Sequence, residues 1–470
     1  MRQSGPRRNG AGRSRIALAL ALALALAQCA KPAPPPPMSK TAEAVLPILL
    51  DAARVDDRRL FSASGLERFF AALDRLERKR AARPLRILQI GDSHTAGDAF
   101  SSHMRDLLQA RFGAAGRGWL PAGIPFRYYR PRRVTVTAAG WRQLGPRDAG
   151  PDVPLGLDAA VAESERPGAL MTLVSSEAPG FDRLGLEFVA RPAGPPLQIR
   201  IDRREPFLVS TALGSPRDES RGVGAARIRA ERIAIPVGPD AREVALTAID
   251  RRPIALLGWG VERDRTGIVY ENHGTIGATV DLLGRMSPRT VAMELAGSRP
   301  ALLVVAFGTN EGFDDSLDLG SYRARFRAQV AALQAMAPFA SILVLGPPDG
   351  NRLDPSCPRA PTPIAARQDI CVAGEEVAAS CSWREPPNLA AVRHIQQRVA
   401  AAEGWAFWDW SQAMGGPCSM HRLTLRDPPL AFADHVHLSG AGYAAAAEIL
   451  FFDLSNAYAD WKRSAILAPE

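Results

Sequence analysis

Residues 86–95 read Arg86-Ile87-Leu88-Gln89-Ile90-Gly91-Asp92-Ser93-His94-Thr95. The apolar run from Arg86 to Ile90 predicts a strand that stops on glycine and hands Ser93 to the turn that follows. In an open parallel α/β sheet, ligands gather outside the carboxyl ends of the strands. A serine one step past a buried strand therefore stands where chemistry is usually done. A Ser or Asp at this place also suits a plain cap for the next helix, predicted over Ala99 to Arg111. Three later segments weigh between the two readings.

The first is Asn272-His-Gly-Thr-Ile-Gly277-Ala-Thr279, a turn in which a backbone N–H can approach an anion because glycine has no Cβ. The second is Ala301-Leu-Leu-Val-Val-Ala-Phe307, a run that fits a strand buried on both faces and ends in Gly308-Thr309-Asn310-Glu311. The third is Asp434-His435-Val436-His437, where the i to i+3 spacing lets a carboxylate orient an imidazole within one turn. Taken singly, each also reads as a turn, a core strand or a cap.

Taken in order, the four segments resemble the SGNH hydrolases, also called GDSL esterases. The family's blocks, a Ser in Gly-Asp-Ser, a Gly, an Asn in Gly-x-Asn and a His in Asp-x-x-His, fall here on Ser93, Gly277, Asn310, and Asp434 with His437. The resemblance implies a Ser93 nucleophile, a His437 base that takes its proton and returns it to the leaving alcohol, and an Asp434 that fixes the imidazole. It also implies an oxyanion hole made by the Ser93 and Gly277 N–H groups and the Asn310 amide. Acyl transfer of this kind uses no metal or other cofactor, and no HExxH, CxxC or phosphate-loop motif is present. Two departures stand out: Glu311 follows Asn310 where many members have Asp, and His435 offers a rival imidazole.

The first 27 residues carry Arg2, Arg7, Arg8, Arg13 and Arg15, no acid, and then the Leu/Ala run Ile16 to Ala27, which reads as a secretory signal peptide. No run reaches the ~20 apolar residues of a membrane helix, so the expectation is a secreted or periplasmic protein with no transmembrane segment. Leu26-Ala27-Gln28-Cys29 loosely resembles a lipobox, which makes an N-terminal lipid anchor at Cys29 the alternative; residues 32–37 form a stiff proline-rich spacer.

The remaining cysteines, Cys357, Cys371, Cys381 and Cys418, suit an oxidising compartment and two disulfides in any of three pairings. Three of them lie in the long loop Gly346 to Pro387, which leaves a strand at 341–345 and reads equally as a wall of the substrate site or as a loop stapled for stability. The formal charge of +9 falls to about +4 once the signal-peptide arginines are removed. With no nucleic-acid-binding motif, no nucleic acid partner is expected.

Between the first two blocks, segments 184–190, 197–201, 227–235 and 243–248 read as short antiparallel strands. The predicted organisation is therefore a signal peptide over 1–27, a linker over 28–50, a first core segment over 51–140, an inserted β-sandwich over 141–252 and a second core segment over 253–470. The insert reads either as a carbohydrate-binding unit or as a scaffold that shapes the cleft. The core is predicted as a three-layer α/β/α domain of flavodoxin-like type. Its strands lie near 86–90, 254–260, 301–307, 341–345 and 405–409, and its helices near 99–111, 278–285, 321–336, 388–403 and 440–461. The cluster Trp405-Ala-Phe-Trp408-Asp-Trp410 reads as the fifth strand rather than a sugar platform.

This layout is similar to that of periplasmic O-acetylesterases acting on peptidoglycan. It implies a serine esterase that removes O-acetyl groups from an acetylated cell-wall or extracellular glycan. The alternatives are a glycan O-acetyltransferase with the same triad and a carbohydrate-binding protein with a vestigial esterase core.

Overall fold

The structure is a computed structural model and describes residues 58–213, 228–353, 371–372 and 382–467. The expected signal peptide, the proline-rich spacer, Cys29, Cys357 and Cys381 lie outside the described residues. From Arg58 to Leu454 the described chain forms one unit. From Ser455 onward the last helix, Gly440–Leu467, belongs to a second, within which Tyr458 stacks on Trp461 with ring centroids 6.0 Å apart.

Five buried strands build a parallel sheet. In spatial order they are Ile268–Gly274, Leu85–Gly91, Leu302–Ala306, Ser341–Leu345 and Ala406–Trp408, with the short strand Leu60–Phe61 added antiparallel at the far edge. Numbered along the chain, the parallel strands run 2-1-3-4-5, the flavodoxin-like order whose switch point lies beside strand 1. One face packs on Leu319–Met336 and Pro387–Glu403 through Phe326, Val330, Leu333, Val392 and Val399, and the other is covered by Glu67–Glu77 and Ala99–Phe112. Each fully buried aliphatic or aromatic side chain here contributes roughly 1.5–3 kcal/mol. Helix Leu319–Met336 starts where the Asp318 carboxylate accepts hydrogen bonds from the Gly320 and Ser321 N–H groups. The Trp405–Trp410 cluster is buried, and Ala406–Trp408 is the fifth strand.

The register brings Gly91, Gly274 and Ala306 to one level, so the loops after the first three strands leave the sheet together. Close approach explains two of these residues. A Cβ on Gly274 would lie 2.1 Å from the Ala96 nitrogen, and one on Gly91 would lie 2.4 Å from the Ala306 carbonyl oxygen.

Two antiparallel sheets pack face to face over Met171, Leu173, Leu184, Leu186, Leu197, Ile199, Val244 and Leu246. Alternation produces them: along Pro196–Ile201, Leu197, Ile199 and Ile201 are buried while Arg200 is exposed.

Three expectations need correction. Residues 254–260, expected as a core strand, belong to Ile254–Glu262, which pairs with Phe181–Ala190, Val161–Ser164 and Gly116–Pro121 in an antiparallel sheet. Both faces of that strand are buried, one in each of two apolar clusters, so its continuous apolar run resembles that of a parallel core strand. The core position is taken by Ile268–Gly274, whose polar residues Glu271, Asn272 and His273 are buried among charged partners. The antiparallel strands consequently begin at Gly116 and end at Glu262, outside the limits of Trp141 and Arg252 drawn from the sequence. The helix expected at 278–285 is a 3₁₀ helix, Val280–Arg285.

Candidate active site

Ser93 opens a one-turn helix, Ser93–Ala96, directly after strand Leu85–Gly91, rather than lying in an open turn. Asp92 caps that helix by accepting from the His94 N–H at 3.0 Å. As a first-turn donor, the Ser93 N–H has no intrahelical acceptor. Burial, with Glu311 nearby, pushes the Asp92 carboxyl up to about 7.

Ser93 and, more than three hundred residues later, His437 and Asp434 form one hydrogen-bonded line. Ser93 Oγ lies 2.8 Å from His437 Nε2, and His437 Nδ1 lies 2.8 Å from Asp434 Oδ2. Burial alone would raise the Asp434 carboxyl, but the His437 and Val436 N–H groups, each 3.0 Å from Oδ1, and the His437 ring hold it below its ordinary value. An ionised Asp434 can only accept, so the neutral ring carries its proton on Nδ1 and leaves Nε2 to accept from the Ser93 hydroxyl.

His435 is held elsewhere. Its ring stacks flat on Trp383 at 3.4 Å, and burial, with His421 beside it, pushes it down to about 4. Two residues of the 346–387 loop lie against His435: the Asn351 N–H donates to the His435 carbonyl at 2.8 Å, and Trp383 forms the stack. A disulfide joins Cys371 to Cys418, while Cys357 and Cys381 are outside the described residues.

The second and third blocks are tied to each other. The Asn310 amide donates to the Ala278 carbonyl at 2.8 Å, and Glu311 Oε1 accepts from the Val280 N–H at 2.8 Å. The longer arm of Glu311, the residue that departs from the family pattern, makes the second of these ties. Burial pushes the Glu311 carboxyl up to about 7. Gly277 is exposed with φ +70°, and a Cβ there would meet nothing within 4 Å, so backbone conformation rather than space calls for glycine.

Sequence reasoning missed the support behind His437. His94, the residue after the serine, lies with its ring centroid 5.1 Å from that of His437 and its Nδ1 2.9 Å from the Tyr443 hydroxyl. Burial, reinforced by His437, pushes His94 down to about 3, so it backs the His437 ring as a neutral ring. Trp410 lies behind His94 at 5.7 Å and continues to Phe100 at 4.7 Å. The only sequence signal for this role was a histidine immediately beside the candidate nucleophile.

His273, on the strand that leads to the Gly277 turn, is fixed by Asp158 Oδ1 at 2.8 Å. Burial alone would lower its pKa, yet Asp158 and Glu271 outweigh that and push the ring up to about 10. The stabilisation from this raised value is complete below the ordinary 6.5 and is lost as pH rises through about 10. The melting temperature is therefore expected to fall more steeply across that alkaline interval in the native protein than in His273→Gln, as thermal scans at stepped pH would read.

Among the described residues, no group of three or more His, Cys, Asp or Glu is placed to hold a metal ion, and no helix is long and apolar enough to cross a membrane.

Residues 250–445 match the model of the GDSL-like lipase/acylhydrolase family. The match covers Gly277, Asn310, Asp434 and His437, includes the last antiparallel strand, Ile254–Glu262, and does not reach Ser93. Among solved structures, the chain is similar to one described as "Peptidoglycan O-acetylesterase in action, 5 min", with 23% identity, TM-score 0.64, and coverage of 88% of this chain and 100% of that one. A family two carbohydrate esterase from Cellvibrio japonicus matches with 10% identity, TM-score 0.26, and coverage of 73% and 98% respectively. No curated protein matches the sequence. The family match makes residues 250–445 a GDSL-like lipase/acylhydrolase domain, and the fold shared with the solved O-acetylesterase agrees with an SGNH esterase.

Proposed function

We propose that this esterase removes O-acetyl groups from a cell-wall glycan, with peptidoglycan as the substrate, and that it does so outside the cytoplasm after loss of a signal peptide over residues 1–27. The observation that carries the reading is the line Ser93 Oγ, His437 Nε2, His437 Nδ1, Asp434 Oδ2, with 2.8 Å at each hydrogen bond. The likeness in fold to a solved peptidoglycan O-acetylesterase, with TM-score 0.64, supports the choice of glycan.

In this reading His437 takes the Ser93 proton as Oγ attacks the acetyl carbonyl carbon, and the carbonyl oxygen becomes an oxyanion. The Ser93 and Gly277 N–H groups and the second Asn310 amide hydrogen stabilise that charge. His437 then protonates the departing sugar oxygen. Water, activated by the same ring, releases acetate and restores the serine. Asp434 keeps the imidazole in the required tautomer throughout.

Transfer to a sugar hydroxyl would use the same groups. Hydrolysis is favoured because the His437 and Asp434 side chains are 34% and 48% exposed, which leaves the base open to water. Incubating the purified protein with acetylated peptidoglycan, with and without an oligosaccharide acceptor, should yield free acetate in both cases. Acetylated oligosaccharide as the main product would make the protein a transferase.

Asn310→Ala is expected to lower kcat by ~10² or more with a smaller change in KM, because the lost donor acts in the transition state. Glu311 still holds Val280 in that variant, which preserves one tie to the Gly277 turn. A change confined to KM in steady-state kinetics would place Asn310 in substrate binding instead.

A further inference from the structure

A groove of about 920 Å³ opens at the amino-terminal end of the parallel sheet, where Leu85, Ala301 and Ala340 mark the strand starts. It is lined by Arg68, Arg75, Arg80, Arg83, Arg86 and Arg299, and by no carboxylate. Arg86 is neutralised by Glu262 and Glu271, and Arg68 donates to the Pro338 carbonyl. The guanidinium groups of Arg75, Arg80, Arg83 and Arg299 are exposed and, among the described residues, have no ion-pair partner. Beside them the lining is apolar, with Leu295 and Met336, and Phe339 stands at the rim 84% exposed.

Unpaired cations of one sign around an apolar floor call for an anionic occupant. A highly exposed phenylalanine further selects one that also presents hydrocarbon. We propose that this groove and its rim dock the protein on an anionic phospholipid bilayer, with the arginines on headgroup phosphates and Phe339 at the acyl boundary. The arginines supply the electrostatic attraction of a basic patch for an anionic leaflet, and the aromatic residue supplies the interfacial anchor. Ser93 and Asn310 leave the opposite ends of the same strands, ~20 Å away along a seven-residue strand. A protein docked this way keeps its candidate active site turned from the lipid.

The test is co-sedimentation of the mature chain, without residues 1–27, with vesicles of phosphatidylglycerol in phosphatidylcholine, compared with phosphatidylcholine alone, at low and high salt. Binding is expected to the anionic vesicles only and to weaken with salt. Reversing Arg75, Arg80 and Arg83 to Glu should lower the partition coefficient by ~10² or more, since each arginine near such a surface is worth roughly a factor of five. Arg299→Glu, on a different element, should lower it several-fold, and Phe339→Ala should weaken binding while leaving its salt dependence. Aryl acetate hydrolysis, unchanged in these variants, certifies that each is folded. Equal binding to neutral vesicles, or unchanged binding of both the triple variant and Arg299→Glu, would overturn the proposal. So would binding of heparin without binding of vesicles, which would assign the groove to a polyanion.

Discussion

Ser93→Ala is expected to abolish ester hydrolysis, with kcat lowered by ~10⁴ to 10⁶, the range seen when a serine nucleophile is removed. The fold is expected to survive. Ser93 Oγ bonds to His437, whereas the cap of the following helix is made by Asp92 on the His94 N–H, which does not involve the serine hydroxyl. Alanine is well tolerated at the first position of a helix. Acetate release on acetylated peptidoglycan and on an aryl acetate, together with a melting curve, reads both halves of the expectation. A Ser93→Ala protein that is folded and still active would remove the basis for assigning the reaction to this site.

His437→Ala is expected to be nearly as severe, by on the order of 10⁴ or more, because the serine then lacks the base that makes it nucleophilic at neutral pH. His435→Ala should lose much less. Its ring is committed to the Trp383 stack, so its removal disturbs Trp383 and not the hydrogen bond from Ser93 to His437. Parallel kinetics on the two variants separate the roles. The reverse order of severity would move the base to His435.

The parts of this molecule that were readable in advance are those in which one physical effect dominates. Leu302–Ala306 and Ser341–Leu345 are buried at every position, and an uninterrupted apolar run announces that. The spacing of Asp434 and His437 fixes their hydrogen bond within a single turn, whatever the rest of the fold does. Harder to read were elements whose burial depends on partners far away in sequence. Ile268–Gly274 carries Glu271, Asn272 and His273 into the interior, which is tolerable only because Arg86, Arg117 and Asp158 meet them there. Ile254–Glu262 is apolar enough for either sheet, and only its pairing with Phe181–Ala190 and Gly116–Pro121 decides the matter. The backing of His437 by His94 was invisible for the same reason, since it depends on Tyr443 and Trp410, which lie over three hundred residues away.

Arg86 gives the molecule a seam that heat should find difficult to open. Its guanidinium holds Glu262, the last residue of an antiparallel strand, and Glu271, inside the parallel sheet, while only Arg263 to Gly267 link those two strands. Separating the sheets would strand a largely buried cation and two carboxylates, and breaking a buried ion pair costs about 3–5 kcal/mol. Neither sheet can melt far ahead of the other, so calorimetry should record one endotherm for both. The β-sheets are thus bound into the hydrolase's cooperativity, and an engineer who wished to graft them onto another hydrolase would have to transplant the Arg86 clasp with them.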